Sequence, residues 1–357
     1  MTKKEWLEIG YDKHIIDLEE YEEIPFHVMF RQWFCMKMKQ CSGNTVDRIE
    51  VTYNKYLVQD KLDNMNISQI TENDIIDFLT ACILKYPKMN LKEFKRILQV
   101  VNNPLVYAKD LHVGGASLYD WDSIKRRVPM DKLDIDLKRE YAVSVPNVEK
   151  ILDLVINHNI YPVKRCQCLL LCMNFYLGLR IGELAALTFN DFDFEKNVVK
   201  ITKTESKFYN RDESGARVGA LVYRVSDTCK TIYSVREIPI LPEVRVLYDL
   251  IKEIHRNRNY ESELLGYDGT DCIMVQSLAR TLRILCLKCD IDYFDSHTIR
   301  KTFATMLHFS GVPTRTISDL LGHSEIGTTE NCYILSYKEQ YNETYTYMHK
   351  ALNYKVS

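Results

Sequence analysis

The segment between residues 297 and 333 places histidine, arginine and tyrosine side chains in an order that suits phosphoryl transfer. His297 and Arg300 are three residues apart, and His323 and Tyr333 follow them. Arginine donates paired hydrogen bonds to phosphate, histidine holds or moves a proton, and a tyrosine phenol can attack phosphorus. A second arginine, Arg180, lies far upstream. Together these residues favour metal-free phosphoryl transfer to a tyrosine.

The local sequences around these residues resemble the signature of a known protein family. Residues 177–184 read Leu-Gly-Leu-Arg-Ile-Gly-Glu-Leu, residues 297–300 read His-Thr-Ile-Arg, and residues 321–323 read Leu-Gly-His. A Thr-Thr pair at 328–329 then precedes Tyr333. The set resembles the tyrosine recombinases, the integrase family of site-specific DNA recombinases. The resemblance covers about residues 24–340 and is strongest in the second half of the chain.

The resemblance implies that Tyr333 is the nucleophile. A phenol has a pKa of about 10, so it needs positive charge and a proton acceptor nearby before it attacks phosphorus. The chain contains 23 tyrosines, and Tyr337, Tyr341, Tyr345 and Tyr347 are close in sequence. Of these, Tyr333 stands at the family's interval from the Leu-Gly-His and Thr-Thr motifs. We therefore expect it to be the attacking residue.

Arg180 and Arg300 are the expected phosphate clamp. A guanidinium stays charged and donates paired hydrogen bonds to non-bridging oxygens, and these bonds strengthen as charge develops in the transition state. Glu183 lies three residues after Arg180, within helical reach, and is expected to orient it. The family carries an acidic residue at this position. Ile299 stands where the family usually has leucine.

The two motif histidines are assigned to proton transfer and to transition-state support. His297 shares a helix face with Arg300, because residues three apart on a helix are neighbours. It is expected either to accept the proton of the nucleophile or to bind the phosphate, and both roles stay open. His323 is expected to contact a non-bridging oxygen. Ser296 is the predicted cap of the helix, and Gly311 is its predicted end.

A general acid must protonate the leaving 5′ oxygen, which is worth about 10²–10⁴-fold in rate. The resemblance implies a mobile lysine in a turn between two strands, and Lys230, followed by Thr231, fits this place. Lys203, in an earlier strand, is the rival, and we favour Lys230. No cofactor and no metal ion are expected, because side chains supply the charges and protons.

The order of predicted elements indicates two folded units. Apolar residues at helical spacing predict a helical domain over residues 24–112, after a short lead over residues 1–23. A Gly-Gly pair and a polar run predict a linker over residues 113–142. Residues 143–357 are expected to form a mainly α-helical domain with one small antiparallel sheet, an α+β fold. By resemblance, the two units are a core-binding domain and a catalytic domain that form a C-shaped clamp around DNA.

Local signals place individual elements. A capping box at residues 71–74 predicts a helix start, Pro146 begins another helix, and a further helix follows Pro242. The nearly all-apolar stretch from Cys166 to Tyr176 predicts a buried helix. Strand-like segments are predicted at residues 198–203, 218–225 and 233–240, joined in one sheet.

A net charge of −2, from 47 basic and 49 acidic side chains, argues against indiscriminate nucleic-acid binding over the whole surface. Local potential decides DNA binding, so a basic face remains compatible with this total. The DNA-binding candidates are Lys92, Lys95, Arg96, Lys125, Arg126, Arg127 and Lys203.

The chain shows no sign of export or of membrane insertion. Its first residues lack the apolar core of a secretion signal, and no apolar run is long enough to cross a bilayer. The odd count of 11 cysteines in a large chain indicates reduced thiols, and no spacing completes a zinc site. We expect a cytoplasmic protein associated with DNA in the nucleoid.

The function implied by the resemblance is site-specific DNA recombination through a 3′-phosphotyrosyl intermediate, integrating or excising a mobile element. Double-stranded DNA is the expected partner, with four protomers acting on two sites, and accessory proteins that bend DNA or set direction are further candidates. Two alternatives stay open: a type IB topoisomerase-like enzyme and a catalytically silent architectural DNA-binding protein. A protein–protein adaptor is favoured only by the near-neutral charge.

Overall fold

The computed structural model describes residues 23–112, 119–134, 142–226, 234–270, 274–323, 327 and 329. The chain divides into two compact units, residues 1–138 with 207–222 and residues 139–206 with 223–357. Across the described ranges, no helix is long and apolar enough to span a membrane. The predicted lead over residues 1–23 lies outside the described part except for its last residue.

The first unit is built from helices α1 to α6. These span Phe26–Gln40, Gly43–Tyr56, Lys61–Asn64, Glu72–Lys85, Leu91–Asp110 and Trp121–Arg127. Within the core of this unit, the Phe30 ring stacks on Tyr53 with centroids 3.7 Å apart. The predicted capping box is confirmed, because Thr71 and Asp74 exchange side-chain to backbone hydrogen bonds at the start of α4.

Part of the predicted linker belongs instead to the first unit. Ile124, Val128 and Leu133 are buried in the core of that unit, and residues 121–127 form helix α6. Charged residues separate these apolar side chains in sequence, so the segment shows too weak a periodicity to be predicted as helix. The rest of the predicted linker, residues 113–118 and 135–141, lies outside the described ranges.

The β-strand prediction was wrong in two respects: the strands form two sheets instead of one, and one strand was not predicted. Strands β1 to β5 span Phe192–Asp193, Val198–Ile201, Thr204–Arg211, Arg217–Ser226 and Arg236–Pro239. The sheet β1-β2-β5 is antiparallel, with Val199 opposite Ile238, while β3 and β4 form a separate two-stranded sheet. Strand β3 was not predicted because its sequence is polar and lacks apolar alternation.

Residues 207–222 of this second sheet pack with the first unit and not with the domain predicted for residues 143–357. Arg211 lies 2.5 Å from Asp47 and 2.7 Å from Glu50, and Arg217 also pairs with Glu50 at 2.7 Å. The Arg211 side chain is 7% exposed, so its two acidic partners compensate a buried charge. Such a long-range ion-pair cluster leaves no local pattern in the sequence.

The second unit contains helices α7 to α13. These span Val145–Ile156, Arg165–Leu177, Ile181–Ala185, Pro242–Arg258, Met274–Lys288, Ser296–Phe309 and Thr314–Leu321. Helix α8 lies in the core, where its side chains from Cys166 to Phe175 are all buried. The predicted buried helix, the predicted helix start at Pro242 and the predicted fold class are confirmed. The helix predicted to start at Pro146 begins one residue earlier, at Val145.

Two glycines allow the chain to approach closely near the end of α8. Gly178 caps the helix with a positive φ of 61°, and an added Cβ would lie 2.3 Å from Cδ1 of Phe303. At Gly182 an added Cβ would lie 2.7 Å from the carbonyl oxygen of Glu205. Because Arg180 and Glu183 stand between and beside these glycines, the close packing fixes the backbone that carries both side chains.

We predict that Gly178→Ala lowers the free energy of unfolding by more than about 2 kcal/mol. A left-handed backbone costs an alanine about 1–2 kcal/mol, and overpacking against Phe303 adds about 1–3 kcal/mol. Gly311→Ala is the matched control, since Gly311 also has a positive φ but nothing within 4 Å of an added Cβ. Urea denaturation of both variants measures the difference, and equal losses would contradict the packing argument.

Candidate active site

The carboxyl end of α13 gathers guanidinium groups from three different elements. Arg236 Nε donates to the carbonyl oxygen of Leu320 at 2.6 Å, and Arg180 Nη2 donates to that of Gly322 at 3.2 Å. Arg300 Nη2 donates to the carbonyl oxygen between them, at position 321. The last carbonyls of a helix have no partner within it and lie at the negative end of its dipole. They are therefore well suited to hold cations.

Glu183 links two of these arginines. Its Oε1 lies 2.8 Å from Nη1 of Arg180, and its Oε2 lies 2.8 Å from Nη2 of Arg236. Burial would raise the pKa of Glu183, but the hydrogen bond from Arg236 and the charges of Arg236, Arg180 and Arg300 outweigh it and lower that pKa to about 2. The carboxylate is therefore ionised at neutral pH and can orient Arg180, as its spacing predicts.

Arg300 is fully buried in α12. Its Nη1 donates to the carbonyl oxygen of Gly178 at 2.9 Å, and its Nη2 lies 3.0 Å from Nε2 of His323. These contacts join the end of α8, helix α12 and the end of α13. Arg180 differs, because its side chain remains 38% exposed. The structure thus brings together four predicted site residues that lie far apart in the sequence: Arg180, Glu183, Arg300 and His323.

The contacts of His323 define its protonation state. A guanidinium can only donate, so Nε2 of His323 accepts the bond from Arg300. Nδ1 then carries the proton and donates to Oγ1 of Thr329 at 2.8 Å. Burial, followed by the charges of Arg300, Arg180 and Arg236, lowers the pKa of His323 to about 3. The imidazole is therefore neutral over the whole physiological range.

His297 occupies the first turn of α12 and is exposed. The cap of this helix is Asp295, whose side chain accepts from the N–H of Thr298, so the predicted cap at Ser296 was wrong by one residue. Aspartate and serine both make good caps, and spacing alone does not separate adjacent candidates. The predicted stop is confirmed, because the helix ends at Phe309 with Ser310 as its C-cap and Gly311 follows with a positive φ of 84°.

The rival general acid, Lys203, is held by neighbouring side chains. Its Nζ lies 3.0 Å from Oδ1 of Asp191 and 2.9 Å from Oγ1 of Thr188. An ammonium group in such an ion pair is less available to protonate a leaving group. The preferred lysine, Lys230, and the proposed nucleophile, Tyr333, lie outside the described residues. In the part that is described, no three His, Cys, Asp or Glu side chains cluster in a way that could hold a metal ion.

Comparison with known proteins assigns this chain to a family. Residues 144–340 match the model of the phage integrase family. The chain belongs to this family. The match includes the segment with Arg180 and Glu183 and the segment from His297 to Tyr333, so the motifs on which the resemblance rests lie inside the matched region.

The relatives of this phage integrase family member include recombinases and transposases. A "tyrosine recombinase XerC-like" protein of Caldanaerobacter subterraneus subsp. tengcongensis is 31% identical over 220 residues, 57% of this chain and 52% of that protein. The transposase from transposon Tn916 of Enterococcus faecalis is 25% identical over 301 residues, 79% of this chain and 68% of that protein. The chain therefore spans about half the length of the XerC-like relative that it matches.

The fold agrees with the family assignment. The Tn1549 transposon integrase, solved in complex with transposon right end DNA, superposes with a TM-score of 0.63. The alignment covers 91% of this chain and 99% of that chain at 19% sequence identity. At this identity, the likeness establishes the fold and not the details of the site.

The DNA-binding candidates are mostly solvent-accessible. Five are exposed and Arg96 is half-buried; the exposed ones are Lys92, Lys95, Lys125, Arg126 and Arg127. Lys125 pairs with Asp122 at 3.2 Å, and Nη2 of Arg127 donates to Asn73 at 2.6 Å. An exposed lysine or arginine exchanges such a surface partner for a phosphate at little cost. Lys203 is the exception, because its ion pair is half-buried.

Sequence reasoning missed Arg236, and it used Thr329 only as part of the Thr-Thr motif that locates Tyr333, without a role in the site. A signal for Arg236 existed, because strand β5 alternates between buried and exposed positions. That alternation places Arg236 on the same buried face as Ile238, and an arginine on such a face needs an internal partner. The contact between Thr329 and His323 joins positions six apart in sequence, and the Thr-Thr motif alone does not identify His323 as a partner.

We predict that the free energy of unfolding falls less steeply in His323→Asn than in the native protein as the pH is lowered from 8 to 5. The folded state takes up this proton only near pH 3, whereas the unfolded chain takes it up near the ordinary histidine pKa of about 6.5. The contribution of neutral His323 to the free energy of unfolding is therefore fully present above about pH 6.5. Below that pH it declines by up to about 1.4 kcal/mol per pH unit, the limit for one proton.

Urea denaturation between pH 8 and pH 5 measures this slope. Buried His255, whose pKa is also lowered by burial, contributes in the same range, so the native slope is shared. His323→Asn is expected to remove the share of the pH slope that comes from His323, and His255→Phe the share that comes from His255. A native-like slope in His323→Asn would show that the folded protein already binds this proton.

Proposed function

We propose that this chain is a tyrosine-type site-specific DNA recombinase. Tyr333 attacks a scissile phosphate, which forms a 3′-phosphotyrosyl bond and releases a 5′-hydroxyl. A 5′-hydroxyl from the partner duplex then attacks the phosphotyrosine and restores the phosphodiester. The observation that carries the proposal is the convergence of Arg180, Arg300 and His323 on the end of α13, inside the region that matches the phage integrase family.

The proposed roles follow from exposure and charge. Arg180 is the more accessible arginine and presents part of its guanidinium to a phosphate. Arg300 is buried and held by Gly178, so it contributes a fixed positive charge behind the phosphate. His323 is neutral, and its ring accepts a hydrogen bond from Arg300 and donates one to Thr329, so it acts by holding Arg300 in place. Exposed His297 stays the candidate for accepting the tyrosine proton or binding a non-bridging oxygen.

The partner of this reaction is double-stranded DNA, and the assembly is a tetramer on two sites. Exchange of two duplexes requires four strand cuts, and each protomer supplies one nucleophile. The Tn916 transposase among the relatives favours integration or excision of a mobile element. Accessory proteins that bend DNA or set direction, and a location with DNA in the nucleoid, complete the proposal.

We predict that the native protein forms a covalent adduct on nicked duplexes and that Tyr333→Phe does not. A nick lets the short fragment beyond the cleaved phosphate diffuse away, so the 3′-phosphotyrosyl adduct accumulates. Tyr337→Phe is the matched control and is expected to keep the adduct. Denaturing gel electrophoresis of a pool of nicked duplexes detects the adduct, and sequencing of the trapped DNA gives the site.

Other outcomes of this trapping experiment point to other functions. Binding without any adduct from the native protein would favour the architectural protein. An adduct without Holliday junction formation on two sites would favour the topoisomerase-like enzyme. A DNA clamp that contacts Z phosphates has a log–log salt slope of about −0.9Z, so absent or salt-independent binding would favour the adaptor.

We predict that Lys230→Met slows cleavage by about 10²–10⁴-fold and that a 5′-bridging phosphorothiolate restores the rate. A thiol has a pKa of about 8.5, so a thiolate leaves without being protonated, and the general acid becomes unnecessary. Lys203→Met is the matched control. It is expected to be less stable, because Asp191 loses its ion-pair partner, and its cleavage rate should not be rescued by the phosphorothiolate. Rescue of Lys203→Met, and not of Lys230→Met, would identify Lys203 as the general acid. Single-turnover rates on both substrates decide between them.

A further inference from the structure

We infer that Arg236 is a positioning residue for DNA cleavage: it holds Glu183 and the end of α13, and thereby directs Arg180 toward the phosphate. The inference rests on the proposed recombinase function. Arg236 is not part of the phosphate-binding set predicted from the sequence, and it lies in strand β5, outside the motif segments.

The burial of Arg236 separates its role from phosphate binding. Its side chain is 5% exposed, compared with 38% for Arg180. Its Nη1 donates to the carbonyl oxygen of Ser234 at 3.1 Å and to Oε1 of Glu183 at 3.2 Å, while Nη2 donates to Oε2 of Glu183 at 2.8 Å. Its nitrogens are therefore directed to protein oxygens, so Arg236 acts through its neighbours.

The first effect of Arg236 is on the pairing between Glu183 and Arg180. Arg236 contacts both carboxylate oxygens of Glu183, and Arg180 shares only Oε1 through its side chain. Oε2 also accepts the backbone N–H of Arg180 at 3.0 Å. Guanidinium and carboxylate favour a two-bond, fork-to-fork geometry. Without Arg236, Glu183 would be available for such pairing, and the guanidinium of Arg180 would turn away from the phosphate.

The second effect of Arg236 is on the turn that ends in His323. Arg236 holds the carbonyl oxygen of Leu320, and the next two carbonyls hold Arg300 and Arg180. A shift of this helix end would therefore move both arginines of the phosphate clamp. His323 follows directly in sequence and contacts Arg300, so its ring would move as well. One buried arginine thus sets the positions of several groups that act on the phosphate.

The test compares Arg236→Met and Arg236→Lys with the native protein on nicked duplexes. DNA affinity and single-turnover adduct formation are measured separately, from pH 5 to pH 8. Arg211→Met is the matched control, because Arg211 is also buried and paired with two carboxylates but belongs to the first unit. Thermal unfolding of each variant establishes that it is folded at the assay temperature.

Arg236→Met is expected to bind DNA within about threefold of the native affinity and to cleave about 10²-fold more slowly, the size of loss seen when a transition-state donor is misplaced. Arg236→Lys keeps the positive charge and one of the contacts, so its cleavage rate should fall by only about tenfold. Arg236→Met should also gain an acidic limb in its pH profile, because buried Glu183 loses the partner that keeps it ionised. Adding Glu183→Gln should remove that limb. Arg211→Met should lose stability without any of these changes in rate.

Three outcomes would overturn the inference. Native cleavage rates in Arg236→Met would show that its contacts are dispensable. A parallel loss of affinity and rate in Arg236→Lys, without a new acidic limb in Arg236→Met, would indicate a purely structural role. Absence of an adduct from the native protein would remove the proposed function itself, and the inference with it; only this last outcome affects both.

Discussion

The carboxyl end of α13 is the constraint on which the candidate site depends. Three guanidinium groups, from Arg180, Arg236 and Arg300, bind the consecutive carbonyls at positions 320–322. Like charges this close repel one another, and burial strengthens the repulsion by lowering the local dielectric. The helix dipole and the ionised Glu183 oppose it. The site therefore keeps an excess of positive charge that a bound phosphate would neutralise.

This excess charge also decides what His323 can do. Burial and the neighbouring guanidinium groups both oppose protonation of this imidazole, so His323 stays neutral, and a guanidinium carries its charge throughout the physiological range. The positive field that the proposed reaction needs is then independent of pH between pH 5 and pH 8. Proton transfer is left to residues outside the buried cluster, such as exposed His297. Charge stabilisation and proton transfer are thus divided between buried and exposed groups.

The sequence predicted the parts of this site that depend on local spacing. Glu183 reaches Arg180 because the two are one helical turn apart, and the buried helix α8 follows from its apolar composition. Local spacing could not predict the contacts between segments that are far apart in the sequence. Arg236 meets Glu183 across 53 residues, and Arg211 meets Asp47 across 164. Nothing in the residues beside either arginine identifies its partner, because the fold alone brings them together.

The contact between His323 and Thr329 connects the charged cluster to the chain that carries the proposed nucleophile. Thr329 is fully buried, and its hydroxyl oxygen accepts the hydrogen bond from Nδ1–H of His323, the tautomer that the contact with Arg300 requires. Tyr333 follows Thr329 by four residues. The arrangement that fixes the tautomer of His323 therefore also anchors the chain shortly before Tyr333. The proposed nucleophile would thus follow, four residues later in the sequence, a threonine whose hydroxyl is bound to the same cluster.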